Sequence, residues 1–517
     1  MPPPRPASNR SRLRTLIPLG AVVALLSTPG AMAVDRVLDV SQRVWAGQGD
    51  PNRKLWEPAI AAGEDLVITV YTSGINGGVR YAVYDTATAD WVDEDAIPSG
   101  DCSQAHDASI AYNSITGEFV AAAAAGKQCG GVTCKCVVTS VFHPESGQNY
   151  PGHFDTWGEV ATYSSGYEID KPWIVAGEMS EAIQEFYMVW YKDSDVYQYL
   201  RSIDGGECWA QGDTGFARIF CAQPAVWNDG ALYVAYVTGA GNIGFYVGED
   251  VDPNDPNNYD CSDANDVGVT FTVMRGYREA EEEGMDDPIT PPLTIPVNRV
   301  IFSHDLPGEL RAQTVPQLAV DPSLDPNDPN EPDVRLFLVY HDTASDDPND
   351  PGYHDVNAYL YKIEGWGSCW VASPRVKVND DTDPDGEYDQ FMPSVTVDGE
   401  GWIHVLFYDD RRFDQEDGAP DPNNPPRFDG YYAWATVDNL TFQDRNVILY
   451  LDPNDPGGPS DPPGLNWEDE DQLDPHEYNG IAWYADTVWT TYTGTDPNDP
   501  QANDSVVWSS RLDWIWE

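Results

Sequence analysis

The sequence predicts an all-β fold, a β-propeller of seven blades with six as the alternative, on three observations. A short strand-like segment opening on Pro, Ala or Asn recurs seven times. Each copy is followed by two further strand-like runs. No convincing long amphipathic helix interrupts the series; the charged run 277–284 could form one short helix.

The opening segments start at Pro58, Ala108, Pro172, Pro224, Pro316, Pro393 and Asn479. Second runs follow at 66–71, 119–125, 186–191, 232–237, 336–340, 402–408 and 488–492. Third runs, alternating or rich in aromatics, lie at 79–84, 132–141, 196–203, 243–247, 358–363, 431–437 and 506–512. Radial repetition suits many short strands because it leaves only short, protected edges. A two-sheet sandwich does not naturally supply seven copies of one unit. The segment 37–44 is expected to add an edge strand that closes the ring against the last blade. Between the strands lie acidic insertions. Asp-Pro-Asn-Asp-Pro occurs at 252–256, 325–329, 347–351, 452–456 and 496–500, and Asp-Pro-Asn-Asn-Pro at 421–425. Proline lacks an N–H and Asx-Pro favours turns, so these read as loops, with solvated filler preferred over calcium sites for most of them.

Residues 1–33 read as a secretory signal. Arg5, Arg10, Arg12 and Arg14 form a basic region, an apolar run follows, and Ala31-Met32-Ala33 is an A-x-A cleavage pattern. A membrane anchor is the other reading, but the run is short and holds Pro18 and Gly20, and no later stretch approaches the roughly 20 apolar residues of a spanning helix. The expectation is one propeller domain over 34–517, secreted or periplasmic. The 517 residues carry 28 Lys+Arg against 86 Asp+Glu, a net charge of −58. That argues against nucleic acid, whose phosphates need clustered cations, and against anionic lipid. Aromatics make up 12% of the chain, more than an acidic disordered chain holds. Eight cysteines fit an oxidising compartment. Cys129, Cys134 and Cys136 are close enough for a metal knot, but disulfides are the better reading in a secreted chain.

Ser202-Ile-Asp204-Gly-Gly206-Glu-Cys208-Trp209 fits the Asp-box pattern Ser-x-Asp-x-Gly-x-Thr-Trp, with Cys in the Thr place. A degenerate copy stands at Ile363-Glu-Gly365-Trp-Gly367-Ser-Cys369-Trp370, and a third at Ala435-Thr-Val-Asp438-Asn-Leu-Thr441-Phe442. The chemistry suits a hairpin between third and fourth strands: Asp accepts turn N–H groups, Gly allows positive φ, and Trp packs into the blade. On these motifs the chain resembles the sialidase superfamily of Asp-box propellers, also called bacterial neuraminidase repeats. The resemblance covers most of the chain as architecture and is best over 379–442, with Asp389-Gln-Phe-Met-Pro393 and Tyr408-Asp-Asp-Arg-Arg412. In that family the box is structural and lies away from the active face.

The resemblance implies that each innermost strand starts at a funnel-shaped face. Residues just before these strands would then ring a binding mouth: Glu57, His106, Asp107, Asp170, Lys171, Gln223, Gln313, Asp389, Gln390, Glu477 and Tyr478. The blander reading is that they satisfy backbone groups at strand starts. Sialidases are known for an arginine triad, a Tyr–Glu nucleophile pair and an Asp acid/base. No Arg-Ile-Pro-type motif precedes the first box, and basic residues are scarce. Arg411 and Arg412 end a second strand and could bind an acid, although pairing with Asp409, Asp410 or Asp414 is the simpler role. The catalytic candidates are Tyr478, Glu477 and Asp107. Asp381, Asp383, Asp385, Gly386 and Asp389 have the alternating oxygens and turn glycine of a calcium loop, but Met392 stands where an EF-hand has Glu. A structural Ca²⁺ between blades is one reading, one more acidic loop the other.

Three functions follow as expectations. The first is a secreted sialidase-like propeller that binds extracellular glycan or another ligand without catalysis. The second is an exo-sialidase-type glycoside hydrolase, and the third a calcium-binding surface or matrix protein. The strong negative charge repels anionic sugars at long range.

Overall fold

The computed structural model describes residues 37–39, 42–43, 55–73, 78–144, 152–164, 169–180, 183–192, 196–217, 220–227, 231–238, 242–250, 269–273, 292–300, 314–325, 328–347, 355–366, 369–380, 389–409, 429–444, 479–485, 487–495 and 505–514. These form seven antiparallel sheets of four or five strands, with no helix among the described residues. The fold is a seven-bladed β-propeller. The expected short helix at 277–284 lies outside the described residues.

The innermost strands are Leu55–Ala62, Cys102–Asn113, Ile169–Ser180, Phe220–Val226, Gln317–Val320, Gln390–Val397 and Gly480–Tyr484. Each touches the innermost strand of the next blade, and the last touches the first, so the ring is closed. All seven line one central cavity of about 380 Å³ along their C-terminal halves, from Ile60 and Ala62 round to Ile481 and Trp483. The last blade is completed by strand pairing out of sequence order. Val37–Asp39 and Gln42–Arg43 both pair with the last strand, Ser505–Trp514, with Val37 opposite Trp514 and Gln42 opposite Ser509. This is the edge strand expected from 37–44. It latches the first strands of the chain to its last blade.

The core is divided among the gaps between blades, because each sheet buries both faces. Ile68, Val70 and Val83 of blade 1 pack on Ala108, Ala121 and Ala123 of blade 2. Val120, Ala122 and Val137 of blade 2 pack on Phe186, Met188 and Trp190 of blade 3. Equivalent clusters join blades 3 and 4, 4 and 5, 5 and 6, and 7 and 1. Two-faced burial explains why the second strands read as unbroken apolar runs such as Phe119–Ala125.

The three motifs all lie between the third and fourth strands of their blades. In blade 3, Val196–Ser202 turns into Ala210–Ala217. The amides of Gly206 and Cys208 donate to Ser202 Oγ (2.9 Å) and Asp204 Oδ1 (3.0 Å). Trp209 Nε1 donates to the Gly206 carbonyl at 2.9 Å, and its ring is buried between blades 2 and 3. Gly206 has φ +88°, and a Cβ added there would lie 3.1 Å from Val120 of blade 2. In blade 5, Trp366 pairs with Cys369, and Trp370 packs on Tyr233 of blade 4. In blade 6, Thr436 pairs with Asn439 across a two-residue hairpin.

Two disulfides hold blade 2: Cys102–Cys136 and Cys129–Cys134. Cys208 is disulfide-bonded as well. The three close cysteines 129, 134 and 136 therefore form disulfides, not a metal knot. The described part of the 325–329 insertion lies between the first and second strands of blade 5 and forms tight turns, with the amides of Asp328 and Glu331 donating to the carbonyls of Asp325 and Asp328.

Candidate functional site

The innermost strands do not run straight into the ring. Five of them carry a bulge near their start, where two residues lose their partners: Glu57-Pro58, Asp107-Ala108, Lys171-Pro172, Cys221-Ala222 and Met392-Pro393. Glu57, Asp107, Lys171 and Met392 adopt left-handed φ of 49–55°. Non-glycine residues reach that region at a cost, and a bulge turns a side chain away from its regular direction. Proline follows three of them and, having no N–H, leaves no donor unpaired where the bulge offers no acceptor. The same local device, placed in neighbouring blades, aims three side chains at one region.

The result is a cluster drawn from blades 1, 2 and 3. Glu57 and Asp107 are hydrogen-bonded through their side chains, as are Asp107 and Asp170. His106 Nδ1 lies 2.8 Å from Asp107 Oδ2. Lys171 is buried, 3% exposed, and its charge acts on both Glu57 and Asp170. Glu57 is 4% exposed, while the His106 side chain is 37% exposed and opens the cluster to solvent. Thr72 Oγ1 of blade 1 accepts the Asp107 amide at 3.2 Å and locks the bulge.

Three carboxyls in contact cannot all ionise. Burial, then the charge of Asp107, pushes Glu57 well above the carboxylate range. Burial pushes Asp170 up to about 6, against the pull of Lys171 and with the help of Asp107. Asp107 goes the other way: burial would raise it, but hydrogen bonds with His106, Glu57 and Asp170 outweigh that and hold it ionised. Burial opposes charging of His106, but the bond to Asp107 prevails and raises it. The unit is a proton-sharing carboxyl chain with one fixed anion at its centre.

The packing of blades 1, 2 and 3 therefore brings Glu57, His106, Asp107, Asp170 and Lys171 together. It does not place the other candidates among them. Gln223 follows its bulge instead of standing in it, at the position of Ala59 and Ser109, and is buried with its Nε2 unbonded among the described residues. Asp389 and Gln390 precede their bulge. Asp389 Oδ1 accepts the amide of Val356 in blade 5 at 3.0 Å, and Gln390 Oε1 accepts Asn379 Nδ2 at 2.5 Å. Gln313, Arg411, Arg412, Glu477, Tyr478, Asp381, Asp383 and Asp385 lie outside the described residues. Among the described residues, no three His, Cys, Asp or Glu side chains are grouped to hold a metal ion.

The hydrogen bonds and leading charges of the cluster involve no arginine. Arg80 pairs with Glu94, Arg201 with Glu185, Arg335 with Asp321 and Glu364, and Arg375 with Asp342. Sequence reasoning did not foresee the bulge, whose only local mark is a polar residue followed by Pro or Ala ahead of an apolar strand. No described helix is long and apolar enough to cross a membrane.

No protein-family model matches the chain, and no curated protein sequence matches it. Solved structures that resemble it include sialidases and a lectin. The phage phi92 endosialidase is similar over 93% of this chain and 70% of its own, with 7% identity and a TM-score of 0.46. A Hadza microbial sialidase is similar over 68% of this chain and 63% of its own, with 11% identity and a TM-score of 0.38. The Aleuria aurantia lectin, in complex with α-methyl-L-fucoside, is similar over 76% of this chain and 94% of its own, with 8% identity and a TM-score of 0.36.

Proposed function

We propose that the protein is a secreted, sialidase-like propeller that binds a neutral, hydroxyl-rich glycan at its channel mouth without hydrolysing it. The observation that supports this is that Asp107 shares side-chain hydrogen bonds with both Glu57 and Asp170. Carboxyl pairs that hydrolyse glycosides stand about 5–5.5 Å apart when retaining and about 6.5–9.5 Å when inverting, to leave room for the sugar carbon or a water. Carboxyls that hydrogen-bond to each other leave no such room. They do suit sugar hydroxyls, which can donate to the Asp107 carboxylate and accept from His106 or Lys171. A sialic acid carboxylate calls for arginine forks, and the cluster's described contacts contain none.

Binding of neutral and sialylated oligosaccharides to the purified chain tests this reading. Neutral glycans should bind, and Asp107→Asn should weaken them. Binding restricted to sialylated glycans would overturn it. Hydrolysis is the second reading, supported by Asp170, whose value of about 6 suits a proton donor. Turnover of a fluorogenic sialoside, lost in Tyr478→Phe, would favour it. Calcium binding by Asp381, Asp383, Asp385 and Asp389 is a separate proposal from sequence. Calorimetric titration of the chelated protein tests it, and no heat with millimolar Ca²⁺ would reject it.

A further inference from the structure

We propose that the cavity on the propeller axis is a second binding site, separate from the Glu57–Asp107–Asp170 cluster, for a small uncharged molecule with a flat apolar ring body and a hydroxyl or carbonyl group on its rim. The cavity measures about 380 Å³ and is lined by all seven innermost strands. The cluster sits at the starts of three of those strands, whereas the cavity lies along their C-terminal halves, toward the opposite end of the ring. Just past their bulges, blades 1, 2 and 3 each bring an isoleucine to it: Ile60, Ile110 and Ile174. Ile481 does the same from blade 7. Among the described residues that line the cavity, none carries a charge. Each innermost strand is also the last of its sheet, so its axis-facing edge offers N–H and C=O groups without a strand partner. The wall is thus apolar side chains interleaved with neutral donors and acceptors.

Aromatic rings rim the end of the cavity away from the cluster, and they cross from blade to blade. Tyr112 of blade 2 lies over the end of the blade 1 strand, where a Cβ added at Gly63 would stand 2.7 Å from its ring. Its ring centre comes within 6.0 Å of that of Tyr484 in blade 7. Trp483 of blade 7 leans on the turn of blade 6, where a Cβ added at Gly399 would stand 3.2 Å from its ring. Tyr112 and Trp483 both line the cavity and are only half-buried. Size, wall and rim select the occupant. A ring of seven strands has no room on its axis for a folded partner. An apolar cavity of about 150 Å³ holds benzene, so this one has room for two fused rings. An ion would shed its water there and meet no opposite charge. The half-buried rings of Tyr112 and Trp483 offer flat faces to a flat ligand. Pockets of this volume, apolar with a few polar groups, are the common form of small-molecule sites.

Two probes with the same fused rings test this: 2-naphthol, a phenol that is uncharged at neutral pH, and 2-naphthoate, a carboxylate. NMR of the intact chain, labelled at its isoleucine methyls, locates them. Ring currents from bound 2-naphthol should shift the methyls of Ile60, Ile110, Ile174 and Ile481, and the shifts should saturate. Ile243 and Ile363, in the core between blades 4 and 5, should stay in place. 2-Naphthoate should bind severalfold more weakly. Thr396→Phe puts a ring into the cavity from blade 6 and should abolish the shifts. Should that variant misfold, the contrast between the two probes on the parent chain decides. Cavity methyls that do not move, control methyls that move as far, or 2-naphthoate bound as tightly as 2-naphthol would overturn the inference.

Discussion

Ser109 Oγ donates a 2.6 Å hydrogen bond to the Pro172 carbonyl of the next blade and accepts the Ile174 amide at 3.2 Å. Ser394 repeats the bond from blade 6 to blade 7, with Asn479 O at 2.8 Å. Both serines are the first paired residue after a bulge. In blade 3 the carbonyl belongs to the bulge residue Pro172, and in blade 7 to Asn479 just before the innermost strand; in each case the serine of the preceding blade satisfies it. Ser109→Ala should therefore cost about 1–3 kcal/mol, the penalty of a buried group left unbonded. Ser394→Ala should cost a similar amount, and the two should add, since the sites share no partner. Urea unfolding of the single and double variants checks both.

Gly206 should tolerate no side chain. Its φ is +88°, and an added Cβ would lie 3.1 Å from Val120 of blade 2. Gly206→Ala should lose at least about 1 kcal/mol from the backbone alone, because alanine pays to enter that region. Loosening of the 2–3 interface should show as faster amide exchange in the turn at 202–209. Unchanged exchange would separate the hairpin from the packing of its blade.

The Cys102–Cys136 disulfide spans 34 residues and ties the innermost strand of blade 2 to its third strand. Replacing both with Ser should cost about 2–4 kcal/mol, mainly by freeing the unfolded chain. The midpoint of thermal melting, with and without reductant, measures it. Reductant should shift the parent chain and move the double variant less.

His341 should make the protein acid-sensitive. Its ring is buried, and its Nδ1 accepts the Met392 amide of blade 6 at 3.2 Å. Burial holds it at about 3, below its ordinary 6.5. The unfolded chain then binds a proton that the folded chain refuses. Its contribution is complete above about 6.5 and is lost as pH falls toward about 3, by an amount on the order of a few kcal/mol. Stability measured by denaturant from pH 7 to pH 4 should fall, and His341→Asn should flatten that slope while starting from a lower stability at pH 7. An unchanged slope would refute the role assigned to the ring.

Much of the fold was legible in particular residues. The apolar run 119–125 and the turn at 202–209 carry their own instructions, since pairing and turn chemistry depend on near neighbours. The site was legible only in part. Glu57, Asp107 and Lys171 stood out as polar residues before apolar strands, but so did Asp389, which in fact serves the Val356 amide. Nothing local distinguishes them. The difference arises because the bulge of each blade turns its residue toward whatever the neighbouring blade presents.

The sequence by itself determined a repeated three-strand unit, seven copies of it, a closing strand from 37–44 and hairpins at the three motifs. These are short-range consequences of hydrophobic period, turn residues and missing proline N–H groups. Only the tertiary structure decided that Glu57, His106, Asp107, Asp170 and Lys171 form one proton-sharing group. Their blades lie some fifty residues apart in sequence, and a carboxyl's charge depends on which other charges closure of the ring sets against it.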